Sequence, residues 1–240
     1  MAEKHWLRGR VAVVSGASGG IGAATAEAVA SAGAHVFLAA RDRTALEATA
    51  KRIAGSGGEA TPIPTDVSEM EEVERLFAAA SAAGPCTALV CAAGVLTSVP
   101  FADTTSEIWE QTLRVNLTGS FLCCRAAFAS MQAAGEGRIV NIGSLSGVYA
   151  TEKFPGLAAY NVSKYGVIGL TEAIAVEGKP YGISAICVSP GAVDTEMLRR
   201  ANPELRPGLT PQQVAELIVA VLDSPLAAAS GANIPLFSNA

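Results

Sequence analysis

Tyr160 and Lys164 are the two residues whose types and spacing point most directly to chemistry. If this stretch is helical, their side chains lie on one face, one turn apart. A tyrosine has a reference pKa of about 10 and is a poor base near neutral pH. An ammonium about 4 Å away contributes roughly 4 kcal/mol at an effective dielectric near 20, which would lower the phenol pKa by about three units. The pair could therefore exchange a proton with a carbonyl or alcohol oxygen.

An isolated tyrosine and lysine at this spacing are more often two unrelated side chains, so the surrounding elements must decide. Short apolar segments alternate with amphipathic ones throughout the 240 residues. This pattern is typical of repeated β-α-β units. It predicts an α/β fold, a doubly wound parallel sheet of about seven strands with helices on both faces, in a single domain over residues 1–240.

The predicted strands are 11–14, 35–40, 59–63, 88–91, 138–142, 183–188 and 232–237. The predicted helices are 21–32, 44–54, 69–82, 106–134, 157–178 and 211–222. Gly33 is expected to end the first helix, and Ser68 is expected to cap the third. Asn116 and Gly119 are candidate bends within the long helix.

A glycine-rich turn connects the first strand to the first helix and includes Gly16, Gly20 and Gly22. Glycines permit a tight turn and let backbone N–H groups approach a pyrophosphate, which the helix N-terminus also favours. Such a turn is weak evidence by itself, but its position between a strand and a helix predicts a dinucleotide-binding site.

The end of the second strand bears on the choice between NADP and NAD. An NAD site places an acid there for the ribose 2′-hydroxyl, whereas an NADP site places a cation for the 2′-phosphate. Ala40 occupies the expected acid position, and Arg41 and Arg43 follow it. Asp42 would partly cancel that charge, and Arg41 could instead be a solvated loop residue. We expect NADP(H), with NAD(H) as the alternative.

Taken in order, these motifs resemble the short-chain dehydrogenase/reductase family over nearly the whole chain, and the resemblance implies a Rossmann fold. It also implies four catalytic residues: Asn116, Ser144, Tyr160 and Lys164. Asn116 would hold a proton-relay water through a locally bent helix, and Ser144 would donate a hydrogen bond to the substrate oxygen. Tyr160 would act as the acid or base. Lys164 would lower the tyrosine pKa and bond the nicotinamide ribose.

The resemblance further implies a set of cofactor contacts, to which Arg41, Tyr160 and Lys164 also belong. The residues expected at the phosphates are Gly16, Ser18, Gly20, Ile21 and Gly22. Those expected at the adenosine are Asp66, Val67, Ala92, Ala93 and Gly94. Those expected at the nicotinamide carboxamide are Pro190, Gly191, Val193 and Thr195.

The sequence departs from the family pattern in three places. Relatives usually carry Asn-Asn-Ala-Gly where this chain has Cys91-Ala92-Ala93-Gly94, so hydrogen bonds made by the two amides must be replaced. The interval from Ser144 to Tyr160 is about three residues longer than is usual, with the extra length expected in 149–156. The C-terminal segment 233–240 also differs, so family-like assembly into a homo-oligomer, a tetramer or dimer, is less firmly implied.

Composition limits the other function classes. The formal net charge of -5 and pI near 5.1 argue against a nucleic-acid partner. No apolar run is long enough to span a bilayer, and residues 1–10 contain no apolar signal region. The five cysteines lie in apolar runs and are expected to be reduced, which favours a cytoplasmic protein. With two histidines in the chain, no metal site is expected.

The leading hypothesis is an NADP-dependent oxidoreductase that reduces a small ketone or 3-oxoacyl-type substrate, since the layout is most similar to 3-oxoacyl-carrier-protein reductases and related ketoreductases. Leu96, Phe154, Met197 and Leu198 are candidate substrate contacts, although each could equally be core. The alternative enzyme is an NAD-dependent sugar or alcohol dehydrogenase, for which Glu152 and Asp194 are the available polar residues. The alternative from another class is a non-catalytic dinucleotide sensor that binds a protein partner, which would not need Ser144, Tyr160 and Lys164 together.

Overall fold

The apolar segments pair into one seven-stranded parallel sheet in the computed structural model, which describes residues 6–224 and 226–238. The strands are β1 (Val11–Ser15), β2 (His35–Ala40), β3 (Glu59–Pro64), β4 (Cys86–Cys91), β5 (Gly137–Ile142), β6 (Ile183–Pro190) and β7 (Asn233–Leu236). Their order in the sheet is β3-β2-β1-β4-β5-β6-β7. His5 and the last residues of the atypical C-terminal segment lie outside the described residues.

Helices cover both faces of this sheet, so the predicted doubly wound fold is confirmed. The α-helices are α1 (Gly20–Ser31), α2 (Arg43–Gly55), α3 (Met70–Ala83), α4 (Ser106–Leu113), α5 (Gly119–Ala134), α6 (Ala158–Gly178), α7 (Glu196–Ala201) and α8 (Pro211–Asp223). Helices α1, α2 and α8 contribute to the core on one face, and α3, α5 and α6 contribute to the core on the other. Among the described residues, none of these helices is long and apolar enough to cross a membrane.

Successive residues of β1 point to opposite faces of the sheet and pack in the two cores. Val14 packs in the core that includes Val29 of α1 and Ile218 of α8. Val13 packs in the opposite core with Leu122 of α5. All five residues of β1 are buried, which explains why this strand appears as a continuous apolar run rather than an alternating one.

The long helix predicted over 106–134 is interrupted at the expected place. Helix α4 ends at Leu113, a π-helical turn follows over Arg114–Thr118, and α5 begins at Gly119. The extra residue in a π turn displaces the helix register, a feature found frequently at functional sites. This turn carries Asn116 and buries it completely.

Two local predictions are wrong or incomplete. Ser68 does not cap α3, because the N-cap is Glu69 and makes no side-chain capping bond. The Ser68 N–H and hydroxyl instead donate to the Asp66 carboxylate, at 3.0 and 2.7 Å. Helix α7 was not predicted, since its six residues are too few to show a periodic pattern.

The strand order reverses direction between β1 and β4. Chain connections on the two sides of this point lead to opposite faces of the sheet and leave a crevice at the carboxyl ends of the strands. The glycine-rich turn after β1 and the loop after β4 both lie at this point. The fold therefore brings the predicted dinucleotide turn and the residues after β4 together.

Candidate active site

One cavity of about 510 Å³ opens at this edge of the sheet. It brings together predicted catalytic, cofactor and substrate residues from segments far apart in the sequence. The predicted residues that line it are Gly16, Ser18, Gly20, Ile21, Gly22, Arg41, Ala92, Gly94, Leu96, Ser144, Tyr160, Lys164, Pro190, Gly191, Val193, Thr195, Met197 and Leu198. Gly19, Val95, Ile142, Gly143, Glu196 and Arg200 also line it and were not predicted.

Five predicted residues do not line this cavity: Asp66, Val67, Ala93, Asn116 and Phe154. Asp66, Val67 and Asn116 adjoin it through contacts described below. Phe154 lies in the segment 149–156, and 46 % of its surface is exposed to solvent. The structure therefore does not bring Phe154 together with Met197 and Leu198, the other candidate substrate contacts.

The turn after β1 is shaped by glycines that admit no side chain. Gly16 has a φ of +69°, and a Cβ there would lie 2.7 Å from backbone atoms of Ala92 and Ala93. A Cβ on Gly22 would lie 2.1 Å from the carbonyl oxygen of Gly16. Helix α1 begins at this turn without a side-chain cap, so its first N–H groups are available to an anion. This backbone cradle fits a dinucleotide pyrophosphate.

A serine hydroxyl binds the loop after β4, where the sequence lacks the two amide side chains. The Ser15 Oγ accepts hydrogen bonds from the N–H groups of Ala92 and Ala93, at 3.1 and 3.2 Å. Below this loop, the Cys91 thiol lies 3.9 Å from that of Cys124 in the buried core. The loop that borders the cavity is thus tied directly to the end of β1.

Arg41 and Asp66 lie on the side of the cavity formed by β2 and the loop after β3. Arg41 is exposed and lines the cavity. Burial of the Asp66 carboxyl opposes ionisation, but hydrogen bonds from Ser68 and the charges of Arg41 and Arg114 together hold its pKa below the ordinary value. Val67, the next residue, packs against Gly119, where a Cβ would lie 2.7 Å from the Val67 side chain.

Asn116 joins the loop after β4 to helix α6. Its Oδ1 accepts from the Val95 N–H at 2.7 Å, and its Nδ2 donates to the Val95 carbonyl at 3.0 Å. The same Nδ2 donates to the Ser163 Oγ at 3.0 Å, and Ser163 donates to the Tyr160 carbonyl at 2.7 Å. Ser163 is completely buried. Sequence reasoning missed it, although it lies between Tyr160 and Lys164.

Lys164 extends beneath the end of β5. Its Nζ donates to the Ile142 carbonyl at 2.8 Å and lies 5.6 Å from the centroid of the Tyr160 ring. Burial lowers the pKa of Lys164 to about 8, although the nearby Cys187 and Cys91 thiols act in the opposite direction. At neutral pH the group is still mostly an ammonium, held at the edge of the cavity.

The pKa of Tyr160 differs from the expectation based on spacing. Burial raises the pKa of the phenol, and a hydrogen bond with Ser144 acts to lower it. The predicted lowering by Lys164 is therefore wrong for this structure. The lysine does share the helix face, but its ammonium donates to the Ile142 carbonyl, and Lys164 is not among the causes that shift the pKa of the phenol. The phenol keeps its proton at neutral pH and is suited to donate it.

Ser144 begins the short 3₁₀ turn Leu145–Gly147 directly after β5. Its Oγ accepts from the Ser146 N–H at 3.1 Å. Because this bond uses a lone pair, the hydroxyl proton remains available to an oxygen in the cavity. Ser144 and Tyr160 can therefore both direct protons at one carbonyl oxygen, where negative charge develops as the carbonyl is reduced. A nicotinamide cofactor, when bound, supplies the hydride for such a reduction.

The far side of the cavity is formed by the exposed helix α7. Thr195 caps this helix by accepting from the Leu198 N–H at 3.2 Å. Met197 is 38 % exposed, and Glu196 pairs with Arg200 across one helical turn. A molecule bound beside Ser144 and Tyr160 could therefore contact an apolar side chain, Met197, and two side chains of opposite charge, Glu196 and Arg200.

Comparison with known proteins agrees with this arrangement. The chain is 36 % identical over 200 residues to a 3-oxoacyl-[acyl-carrier-protein] reductase of Synechocystis, covering 82 % of this chain and 80 % of that protein. It is also 36 % identical over 230 residues to the glycine betaine reductase of Emericella nidulans, covering 91 % of this chain but 18 % of that much longer protein.

Among solved structures, a single-residue variant of the actinorhodin polyketide ketoreductase with NADPH superposes with a TM-score of 0.88 at 31 % identity, covering 95 % of this chain and 96 % of that one. The sequence model of the short chain dehydrogenases matches residues 10–206. This match includes the glycine-rich turn, the π turn, Ser144 and the Tyr160 helix. The protein therefore belongs to the short-chain dehydrogenase/reductase family of oxidoreductases.

Proposed function

We propose that the protein uses NADPH to reduce a ketone or 3-oxoacyl-type substrate, with Tyr160 as the proton donor. The observation that carries this proposal is the shared cavity: Ser144, Tyr160 and Lys164 line the same space as the glycine-rich turn and Arg41. A cofactor held at the turn would extend toward the three polar side chains. The similarity to a 3-oxoacyl reductase and to a polyketide ketoreductase supports the substrate class.

The proposed roles follow from the protonation states. Ser144 donates a hydrogen bond that holds the substrate carbonyl oxygen, and Tyr160 transfers its phenolic proton to that oxygen as the alcohol forms. The Lys164 ammonium, which lies at the edge of the same cavity, bonds the nicotinamide ribose. Asn116 holds the loop after β4 in place and, with its π turn, is the site we propose for a relay water.

The preference for NADP rests on Arg41. Its guanidinium lines the cavity and contributes to holding the pKa of Asp66 low. A planar, permanently charged guanidinium suits a 2′-phosphate, to which it can donate two hydrogen bonds. Asp66 and Val67 would then border the adenine. Ala92, Ala93 and Gly94 would border the adenosine ribose. Pro190, Gly191, Val193 and Thr195 would border the carboxamide.

Titration with NADPH and NADH, followed by nicotinamide fluorescence, tests this assignment. We expect the wild type to prefer NADPH. Arg41→Ala should weaken NADPH binding by about 10- to 100-fold, as loss of a charge-assisted phosphate contact implies, and should leave NADH binding within about twofold. Arg43→Ala is the matched control, because Arg43 is an exposed arginine two residues farther along, at the start of α2, and does not line the cavity. Equal losses in both variants, or a preference for NADH, would contradict the proposal.

A second candidate, an NAD-dependent sugar or alcohol dehydrogenase, draws support from Glu196 and Arg200. These two charged residues line the cavity beside Met197, whereas the expected polar residues Glu152 and Asp194 do not. Polyols would use such groups as hydrogen-bond partners. Preference for NADH together with oxidation of a sugar alcohol would favour this candidate. Tight dinucleotide binding without turnover on any carbonyl or alcohol would favour a dinucleotide sensor.

We also propose that the chain acts as a homo-oligomer. Helices α5 and α6 expose Phe121, Val162, Tyr165 and Val176, with exposed fractions from 41 to 76 %. On α6, Gly169 and Ala173 are also exposed. Gly166 is not part of this surface, because it packs against Leu117 of its own chain. Light scattering should give a dimer or tetramer, and Val176→Glu should shift it toward the monomer. A monomeric wild type would contradict the proposal.

The proposed setting is the cytoplasm, with a small molecule rather than nucleic acid or a membrane as the partner. All five cysteines are free and buried. Burial raises the pKa of Cys86 to about 12, so this thiol is unreactive at neutral pH. Such cysteines are compatible with a reducing compartment.

A further inference from the structure

The segment after the serine turn forms a compact set of hydrogen bonds around two carbonyl groups. The carbonyl oxygens of Leu145 and Val148 lie at the start and just past the end of the turn that follows Ser144. Lys153 reaches both of them, with Nζ at 3.2 Å from Leu145 and 2.6 Å from Val148. The third contact of the same Nζ is the Thr151 Oγ1 at 2.7 Å. All the hydrogens of this ammonium are therefore directed to acceptors within one segment.

Thr151 and Tyr165 complete the arrangement. The Thr151 Oγ1 lies 2.6 Å from the Leu145 carbonyl oxygen and 2.9 Å from that of Val148. The Tyr165 hydroxyl, on helix α6, donates to the Val148 carbonyl at 3.2 Å. The Lys153 ammonium also lies 5.2 Å from the centroid of the Tyr165 ring. These contacts connect the turn to the helix that carries Tyr160 and Lys164.

The opposite side of the turn is pressed against the same helix. A Cβ on Gly147 would lie 2.5 Å from the carbonyl carbon of Lys164 and 2.7 Å from its oxygen. The turn therefore touches the backbone of α6 at the catalytic lysine, with no side chain between them. Any outward movement of the turn would separate Ser144 from Tyr160.

The backbone conformation at Ala150 also needs to be stabilised by its surroundings. Ala150 has a φ of +59°, which makes it the one described residue other than glycine with a positive φ. An L-residue rarely adopts this conformation unless its surroundings impose it. Thr151 and Lys153, which follow Ala150, bond back to the Leu145 and Val148 carbonyls and supply such a constraint.

We propose that Lys153 and Thr151 are positioning residues for Ser144. They hold the turn against helix α6, so that the Ser144 hydroxyl stays within reach of the oxygen that Tyr160 protonates. Neither residue lines the cavity, so both act through the turn rather than on the reacting atoms. The part of this inference that concerns turnover rests on the proposed reductase function.

Lys153→Met tests the inference, because methionine keeps the length and loses every donor. Lys153→Arg is the conservative variant, since it can still donate to both carbonyls. Lys179→Met is the control, because Lys179 is an exposed lysine just beyond the other end of α6. With a ketone and NADPH, we expect kcat of Lys153→Met to fall about tenfold, a barrier change that loss of Ser144 alignment can supply. Lys153→Arg should retain at least half of the wild-type kcat. Lys179→Met should have the full wild-type kcat.

A merely structural lysine would give a different set of results. We expect the Kd for NADPH and the thermal midpoint of Lys153→Met to stay near the wild-type values while kcat falls. A kcat within twofold of wild type, or a fall matched by equal losses of cofactor affinity and thermal midpoint, would overturn the inference. Thr151→Val should show the same pattern with a smaller fall.

Hydrogen exchange separates this inference from the proposed function. The N–H of Gly147 donates to the Ser144 carbonyl and that of Val148 to the Leu145 carbonyl, at 2.9 and 3.0 Å. These amides should exchange about tenfold faster in Lys153→Met than in the wild type or Lys179→Met, because the turn opens more often. This readout needs no turnover. Unchanged exchange would overturn the inference even in an active enzyme, whereas faster exchange in a protein without activity would overturn only the proposed function.

Discussion

The two sides of the cavity are built differently. On the side that carries the proposed catalytic residues, Asn116 and Ser163 are completely buried and Lys164 is 6 % exposed. Each is held by hydrogen bonds of 2.7 to 3.0 Å to the backbone or to another buried side chain. On the other side, Met197 is 38 % exposed and the Arg200 side chain is 78 % exposed, with a surface ion pair as its contact.

Under the proposed function, this difference separates the residues of proton transfer from those that contact the substrate. Buried polar groups that lose a partner incur the full cost of desolvation, so their geometry tolerates little change. An exposed i,i+4 ion pair contributes about 0.3–0.5 kcal/mol and can exchange its partners easily. We infer that the proton-transfer geometry is fixed by the core, while α7 can be altered to suit different substrates without affecting folding.

Substitution of the proton donor should have the largest effect. Tyr160→Phe keeps the ring that borders the cavity and removes only the hydroxyl. We expect kcat to fall by about 10³-fold, in the range typical of a lost general acid, with the Kd for NADPH within about twofold of wild type. Steady-state kinetics and fluorescence titration measure both. A variant that retains more than a tenth of the rate would show that the catalytic side does not depend on this proton.

The buried ammonium should be visible in the pH dependence of stability. Burial lowers the pKa of Lys164 to about 8, below an ordinary value near 10.4. At a pH between these two pKa values, Lys164 is protonated in the unfolded chain and has lost its proton in the folded chain. The free energy of unfolding therefore rises with pH in this range. Relative to Lys164→Met, the wild type should gain up to about 3 kcal/mol from pH 7 to pH 11.

Urea unfolding of the two proteins at several pH values measures this difference. Groups that do not interact with Lys164 contribute equally in the two proteins and cancel in the comparison, whereas the Cys187 thiol interacts with the lysine charge. A difference that is flat with pH would mean that Lys164 is solvated in the folded protein. The contrast between the two sides of the cavity would then be smaller than the structure indicates.

Ser163 should matter both to stability and to rate. Ser163→Ala leaves the Asn116 Nδ2 without one acceptor and should lower the free energy of unfolding by about 1–3 kcal/mol, the cost of a buried unpaired donor. It should also lower kcat severalfold, because Asn116 and Tyr160 lose their connection. Thr171→Val is a matched control, since Thr171 is equally buried on α6 and accepts from Asn141 instead. Equal loss of kcat in both variants would show that Ser163 has no specific role.

Changes on helix α7 should have the smallest effects on stability. Met197→Ala should change the free energy of unfolding by less than about 0.5 kcal/mol, as expected for a surface position. It should raise KM for an apolar ketone a few-fold and leave kcat for a small ketone nearly unchanged. Glu196→Gln serves as a second variant on the same exposed helix. A loss of stability above about 2 kcal/mol for either variant would mean that α7 is part of the core.

Sequence reasoning succeeded where the signal was local. Periodicity and glycine positions predicted all seven strands, and the break near Asn116 followed from polar and small residues inside an otherwise helical stretch. The shared cavity of Ser144, Tyr160 and Lys164 agrees with what the resemblance to the short-chain dehydrogenase/reductase family implies. The strands and the helix break depend on spacing along the chain, which the sequence displays directly.

What could not be predicted depends on contacts between distant segments or on contacts within irregular loops. The sequence shows that Tyr160 and Lys164 share a helix face, but not that the Nζ turns to the Ile142 carbonyl. Burial of the phenol also depends on the assembled fold, and it reverses the expected direction of the Tyr160 pKa shift. The bonds from Lys153 to Leu145 and Val148 join residues five to eight positions apart through an irregular loop, where no periodic rule applies.

Transfer of deuterium from NADPH that carries deuterium at both C4 positions of the nicotinamide to a panel of ketones and 3-oxoacyl thioesters tests the central claim most directly. Mass spectrometry of the products would follow the label with wild type and with Tyr160→Phe. We predict a labelled alcohol from at least one substrate with the wild type, and a yield about 10³-fold lower with the variant. Tight binding of NADPH without labelled alcohol from any carbonyl, or equal labelling by both proteins, would contradict the claim that this cavity reduces a carbonyl through Tyr160.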